Sequence, residues 1–413
     1  MHWIIKTALL TTLLHFTPVR AEIELLHWWT SKGEIKALNT IKKQLNDHDY
    51  QMVSTSVIGG GGDTATTVLQ ARALAGNTPN IAQIEGPSIK AWDAIGILHD
   101  LNNTAKKHQW NETLNPLAKE INQTENGYVA LPLTLHRMNW LWVNHDLLTQ
   151  LALDVPVTWP ELFIAMDKAK RHHIEPLAIG KQPWQIAQLF ESLVIAYGGV
   201  DFYQQAMVNL DKTAISSQEM QEIFKQFRRL SLLVGEQLAD HKWETATQYL
   251  AQDKSLFQIG GDWVLGELIA LNIDVPKKIG CYVAPQTQGV FLYNMDSFIF
   301  MSRPDFTVQQ ANDLANVLAN KTFQSQFNKV KGAIPVRNDI DLSGFNVCQQ
   351  QASQDLEFAL IHKLAVPSMT DSMAVNPIKQ QAINNELFQF FKNDSIDSKA
   401  VIRRIIAIAS SDN

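Results

Sequence analysis

The stretch His27-Trp28-Trp29-Thr30-Ser31-Lys32-Gly33-Glu34 sets two adjacent indoles beside small polar residues and an acid. Indole faces suit the apolar C–H faces of a sugar ring, and carboxylates accept hydrogen bonds from its hydroxyls. Trp184, within Lys181-Gln182-Pro183-Trp184-Gln185, and Trp263, within Gly260-Gly261-Asp262-Trp263, offer the same surface elsewhere in the chain. Gly59-Gly60-Gly61-Gly62-Asp63 resembles a phosphate cradle at a helix start. It lacks the Lys-Ser/Thr of a phosphate loop, and four consecutive glycines are not the spaced G-x-G-x-x-G of dinucleotide binding. Two readings remain for it: close backbone approach to a ligand, or a flexible turn. No G-x-S-x-G, H-E-x-x-H or kinase signature is present, so nothing in the residues argues positively for catalysis.

The elements that position these residues alternate. Residues 22–29 read as a buried strand, and 34–48 as a helix with Ile35, Leu38, Ile41 and Leu45 at helical spacing behind a Ser31 cap. Neighbouring strand residues point to opposite faces, so one indole faces a crevice unless both pack inside. A second strand is expected at 52–58, a helix at 64–75 and a strand at 81–84. Such alternation implies an α/β fold, whose ligand crevice lies at the carboxyl ends of its strands, where Trp28, Trp29, Asp63 and Glu85 fall. An apolar, aromatic run over 128–143 reads as a crossover between domains. A capping box at Thr158 and Glu161 opens a helix over 158–172, and further helices run to residue 271. Strands are expected at 280–284, 291–301 and 334–337, and helices at 306–327 and in the tail after Asp355.

A chain of 413 residues, 46% hydrophobic and 18% charged, is long enough for two or three globular domains. With a formal net charge of -6 and no dense basic block, nucleic acid is not an expected partner. Residues 1–21 read as an export signal: Lys6, an apolar stretch interrupted by His15, then Val19-Arg20-Ala21 with small residues at the minus-three and minus-one positions. Cleavage after Ala21 makes the mature chain two units more negative. The stretch is shorter than the roughly 20 residues that span a bilayer, which points to release into the periplasm. In that oxidising compartment an even cysteine count favours one disulfide, Cys281 to Cys348, over two free thiols. Two distant cysteines and no paired-histidine helix motif make neither a metal site nor a cofactor an expectation.

The order of motifs resembles the periplasmic solute-binding proteins of sugar-importing ABC transporters, and more closely the glucose/mannose-binding members. The resemblance rests on His27 to Glu34, the glycine run, Val68-Leu69-Gln70-Ala71-Arg72-Ala73-Leu74-Ala75-Gly76, the run from Pro132 to Asn144, Lys331-Gly332-Ala333-Ile334-Pro335-Val336-Arg337, and Pro367-Ser368-Met369. It implies a two-lobed α/β fold with hinge strands. One lobe would comprise 22–134 and 285–333, the other 135–284 and 334–413, with hinges near 131–136, 284–294 and 331–336. It also implies a non-enzymatic, monomeric receptor that closes on a sugar and meets a membrane permease. Trp28, Trp29, Glu34, Trp263, Asp296 and Lys331 stand where similar proteins contact sugar; Asp63, His136 and Trp184 complete the expected lining with Glu85 and Asp371. Glucose-binding relatives tend to have lysine at the position of Glu85 and histidine at that of Asp371. Acids at both raise the negative charge of the crevice by about two or three units, which opposes an acidic sugar and favours an amino sugar or another cationic ligand; if one or both side chains turn away, a neutral hexose or small oligosaccharide is the expected ligand. An exported carbohydrate-active enzyme, and a receptor feeding a sensor or chemoreceptor, are the competing readings.

Overall fold

A computed structural model describes residues 21–57, 63–235 and 242–411, the Asp63 side chain excepted. The leader 1–20 and Gly59 to Gly62 lie outside the described residues. Two separate sheets, each flanked by helices, organise the chain. The larger uses β1 (Ala21–His27), β2 (Tyr50–Ser56), β3 (Ile81–Ile84), β6 (Ala130–Arg137), β11 (Phe291–Phe300) and β12 (Ala365–Pro367); β4 (Gln123–Thr124) and β5 (Gly127–Tyr128) form a small separate hairpin. The smaller has the order β10-β7-β9-β8, from β7 (Trp140–Asn144), β8 (Glu175–Leu177), β9 (Ser255–Gly260) and β10 (Ile279–Val283).

β1 is flanked by β2 and β3, both parallel to it, as helix-connected strands require. β11 runs antiparallel to β3 and β6 and parallel to β12. Its first residues carry β12 and its last carry β3, while β6 follows the opposite edge. The chain then leaves the large sheet at Arg137 and enters the small one at Trp140. The crossover read over 128–143 is therefore a two-residue passage between sheets. β6 and β7 are buried at every position, consistent with near-continuous apolar sequence rather than alternation.

The structure differs from the sequence expectations at element ends. β1 stops at His27, so Trp28 and Trp29 lie beyond the strand and its alternation does not govern them. The Ser31–Glu34 capping box claims the next residues for the helix Lys32–Asn46, of which Leu38, Ile41 and Leu45 are buried but Ile35 is exposed. No strand forms at 334–337, where Ile334 and Arg337 make only isolated bridges; Pro335 between them has no N–H for a ladder. The helix expected over 306–327 is two, Val308–Leu318 and Lys321–Lys331, because Asn320 caps the second. The tail is not wholly helical, since β12 interrupts it.

Candidate functional site

Between the sheets lies a recess of about 610 Å³, the part open to solvent included. Its floor is β11. Residues two apart on a strand share a face, and Asn294 and Asp296 both line the recess. His136 sits directly opposite Asn294 on β6. Between Asp296 and Ser297 the pairing slips from Thr134 to Pro132, a bulge of the kind that re-aims side chains beside sites.

Asp296 is buried and doubly engaged: one oxygen accepts from Gln83 Nε2 at 2.8 Å and the other faces His136 Nε2 at 3.1 Å. The other imidazole nitrogen, His136 Nδ1, lies 2.5 Å from Asp262. Burial opposes a charge on His136 and Lys331 repels it, but Asp262 and Asp296 outweigh both and hold its pKa above the ordinary value. Burial likewise opposes charge on Asp296, but its hydrogen bond with His136 and the nearby Lys331 prevail, lowering its pKa. A carboxylate–imidazole–carboxylate chain thus runs from β11 through β6 to the turn after β9, joining the two sheets under the recess.

Three helix ends converge above this chain through glycines. A Cβ on Gly33 would fall 2.6 Å from the Gly266 carbonyl carbon, and one on Gly266 would fall 2.4 Å from Lys331 O. Gly332, at φ +90, ends the helix Lys321–Lys331 in the left-handed region. The backbones of Lys32–Asn46, Trp263–Ala270 and Lys321–Lys331 therefore touch. Glu267 Oε2 accepts from Gly33 N at 2.8 Å, a buried carboxylate at a helix N-terminus. Glu34 Oε2 accepts from Thr30 N and Ser31 N, each at 2.9 Å, while its side chain lines the recess. The capping and the ligand-facing readings of Glu34 are thus both consistent with its placement. Lys331 is buried with its ammonium 5.7 Å from the centre of the Trp29 ring.

Trp28 and Trp29 line the recess in different ways. Trp29 is core, packed on Phe298 and Phe327, whereas Trp28 is half-buried. On the facing wall Trp184, Trp243 and His136 all meet Trp263 edge-on, with centroids 5.8, 6.4 and 5.6 Å away. Trp184 Nε1 is buried and has no acceptor among the described residues.

Glu85 and Asp371 lie at the Asn294 end. Asn294 Nδ2 donates to Glu85 Oε1 at 2.9 Å and to Asp371 O and Oδ2 at 2.8 and 3.2 Å. The segment carrying Asp371 is pinned by buried Glu191, which accepts from Ser368 Oγ, Thr370 Oγ1 and Met369 N, and from the Tyr203 hydroxyl. Burial pushes the Glu191 pKa up against these donors.

Of the eleven residues expected at the site, ten line this one recess. The eleventh, Asp63, opens the helix Asp63–Leu74, and its side chain lies outside the described residues. Sequence reading missed Thr30, Gln182, Lys242, Trp243, Glu244 and Asn294. Asn294 carried a signal, its spacing of two from Asp296 on a strand; Lys242-Trp243-Glu244 repeats the pairing of indole with acid. Burial, reinforced by Glu34 and Glu267, raises the Glu244 pKa. Cys281 of β10 and Cys348, in the first turn of the helix Val347–His362, form the expected disulfide, with Cα atoms 6.1 Å apart. Among the described residues no group of three His, Cys, Asp or Glu could hold a metal ion, and no helix is long and apolar enough to cross a membrane.

Comparison with known proteins gives a consistent result. The family of bacterial extracellular solute-binding proteins matches residues 43–294. A probable sugar-binding periplasmic protein of Rhizobium meliloti (strain 1021) is 32% identical over 98% of this chain and 98% of its own. One of Mesorhizobium japonicum is 35% identical over 86% of each. Among solved structures, the bacterial solute receptor AcbH, described as having an exclusive substrate preference for b-D-galactopyranose, superposes with a TM-score of 0.79 at 15% identity, covering 94% of this chain and 97% of that one. The two-sheet architecture is thus the two-lobed fold of solute-binding proteins.

Proposed function

Because the chain belongs to the bacterial extracellular solute-binding protein family, we propose that it is the periplasmic sugar-binding subunit of an ABC importer, holding a mono- or small oligosaccharide in the recess. One observation carries this reading: indoles, carboxylates and a buried lysine from both sheets converge on a single cavity. Trp28 and Trp263 offer faces for a sugar ring, Glu34 and Asp296 accept from hydroxyls, Lys331 donates, and His136 holds Asp296 in place.

The lobes are 22–134 with 285–333 and 135–284 with 334–413, β12 reaching back to the first lobe's sheet. Contacts from both lobes exist only when the cleft is shut, so a bound sugar shifts the open–closed equilibrium, and the closed shape reports occupancy to the permease. Nothing in this work breaks a bond, and the protein acts as a monomeric receptor without a cofactor, exported by a signal cleaved after Ala21. Several charge-assisted hydrogen bonds and one stacked ring suffice for a micromolar Kd, about -8 kcal/mol.

Native mass spectrometry of protein purified without refolding should find a saccharide-sized adduct, and calorimetry should return binding that Trp28→Ala weakens about tenfold with an unchanged circular dichroism spectrum. No adduct and no heat with any of a panel of hexoses, pentoses and disaccharides would overturn the receptor reading. Hydrolysis products accumulating in the same samples would replace it with an exported carbohydrate-active enzyme.

A further inference from the structure

One hydrogen-bonded chain runs beneath the recess from Trp28 to Arg137, and backbone sets its polarity at both ends. At the first end Trp28 N donates to Gln83 Oε1 at 3.3 Å, which turns the Gln83 amide so that Nε2 donates to Asp296 Oδ1 at 2.8 Å. At the other end Arg137 N donates to Asp262 Oδ2 at 3.0 Å, and Asp262 N donates to Arg137 O at 3.1 Å. Both aspartates therefore stand as acceptors. His136 lies between them, Nε2 3.1 Å from Asp296 Oδ2 and Nδ1 2.5 Å from Asp262 Oδ1.

A neutral imidazole carries one N–H and one lone pair, so one of the two acids would face a lone pair. Gln83, His136, Asp262 and Asp296 are all buried, and there an acceptor left facing an acceptor is costly. A ring protonated on both nitrogens gives each acid a donor. Burial disfavours that charge and Lys331, at the end of its helix, repels it, but the two acids hold the ring's pKa above the ordinary value. Glu34, Glu85, Lys242, Glu244 and Asp371 are the other charged groups of the recess wall. The cation is thus present below the raised pKa and lost as pH rises through it.

Asp262 itself is not among the residues that line the recess. It follows β9 of the smaller sheet, whereas Asp296 belongs to β11 of the larger. Its carbonyl is hemmed in, since a Cβ on Gly332 would fall 2.7 Å from it. Resting on the sugar-binding reading above, we propose that Asp262 is a positioning residue for the sugar: it holds His136 as the doubly protonated cation, and that ring, with Gln83, locks Asp296 so that its remaining lone pairs meet the ligand's hydroxyls. A carboxylate has about four lone-pair sites, of which the two donors use two.

Histidine-15N NMR tests the ring directly. At pH 7 the ring that Asp262→Asn perturbs should carry protons on both nitrogens in the unsubstituted protein. In the variant it should titrate at lower pH, because the asparagine amide can donate to Nδ1 while Arg137 N keeps its acceptor. Calorimetry with glucose, galactose, mannose, xylose and maltose tests the role. His136→Gln should weaken the tightest-bound probe about tenfold, since glutamine has a donor for one acid only and turns its carbonyl to the other. Adding Asp262→Asn should restore most of that affinity, the asparagine amide now donating to the glutamine carbonyl. Thermal melts verify folding, and the NMR measurement stands without His136→Gln if that variant does not fold. A ring with one bare nitrogen at pH 7, or losses that simply add in the double variant, would overturn the positioning role and leave the sugar receptor standing. Absence of binding by every probe removes the sugar-binding reading, and this role with it, whatever the charge of the ring.

Discussion

His27 is the residue where local chemistry and site geometry meet most directly. It ends β1 with Nε2 2.7 Å from Ser54 Oγ, and its Nδ1 accepts from Trp29 N at 3.1 Å. An accepting Nδ1 requires a neutral ring, and burial lowers the pKa from 6.5 to about 4. Folding thus selects the neutral form, so the stabilisation is fully present above pH 6.5 and is lost as pH falls through about 4. Between those limits the unfolded chain binds the extra proton, and stability should drop by up to about 3 kcal/mol on acidification from this group alone. Urea unfolding across pH 4 to 7 should show His27→Gln with a shallower decline than the unsubstituted protein. Parallel declines would mean that His27 does not titrate as its burial requires.

At the scale of elements, the glycine contacts between helix ends set the shape of the recess. The helix Lys32–Asn46 presents Glu34, Trp263–Ala270 presents Trp263, and Lys321–Lys331 presents Lys331, and they converge because Gly33, Gly266 and Gly332 let backbones touch. Gly33→Ala puts a methyl 2.6 Å from backbone that is itself pressed against Lys331 O. It should destabilise by about 1–3 kcal/mol and weaken ligand binding in parallel, since relief of the clash moves Glu34 away from the helix Trp263–Ala270 on the other side of the recess. Gly260→Ala, whose new carbon would meet nothing nearer than Val264 at 3.6 Å, is the control and should melt close to the unsubstituted protein. Equal melting temperatures for both variants would show that the helix ends have room to part.

For the whole molecule, the Cys281–Cys348 bond ties the smaller sheet to a helix packed beneath β11 and β12. It closes a loop of 67 residues, which the chain-entropy account values at about 4 kcal/mol as an upper figure. The paired Cys281→Ser, Cys348→Ser variant should lose a few kcal/mol in urea unfolding yet bind ligand with nearly unchanged affinity, because neither cysteine lines the recess. A large loss of affinity in folded variant protein would instead make the bond a determinant of lobe geometry.

The sequence by itself determined the class of fold, the approximate strands and helices, the disulfide pair and most of the recess. Those follow from short-range rules: apolar periodicity, the Ser31–Glu34 box, an even cysteine count, and motifs whose order carries a family resemblance. What it missed depends on distance through space. Trp243 and Glu244 reach the recess only because their helix packs beside Trp263, and Glu85 and Asp371 meet at Asn294 only because Gly86 rests on Ser372, 286 positions later in the chain. One expected helix split where the Asn320 cap competed with periodicity, and one expected strand did not form at Pro335, which has no N–H for a ladder. Tertiary structure alone decided which charges are neighbours, because the energy of two charges depends on their separation in space and their seclusion from water, and neither is written in their spacing along the chain.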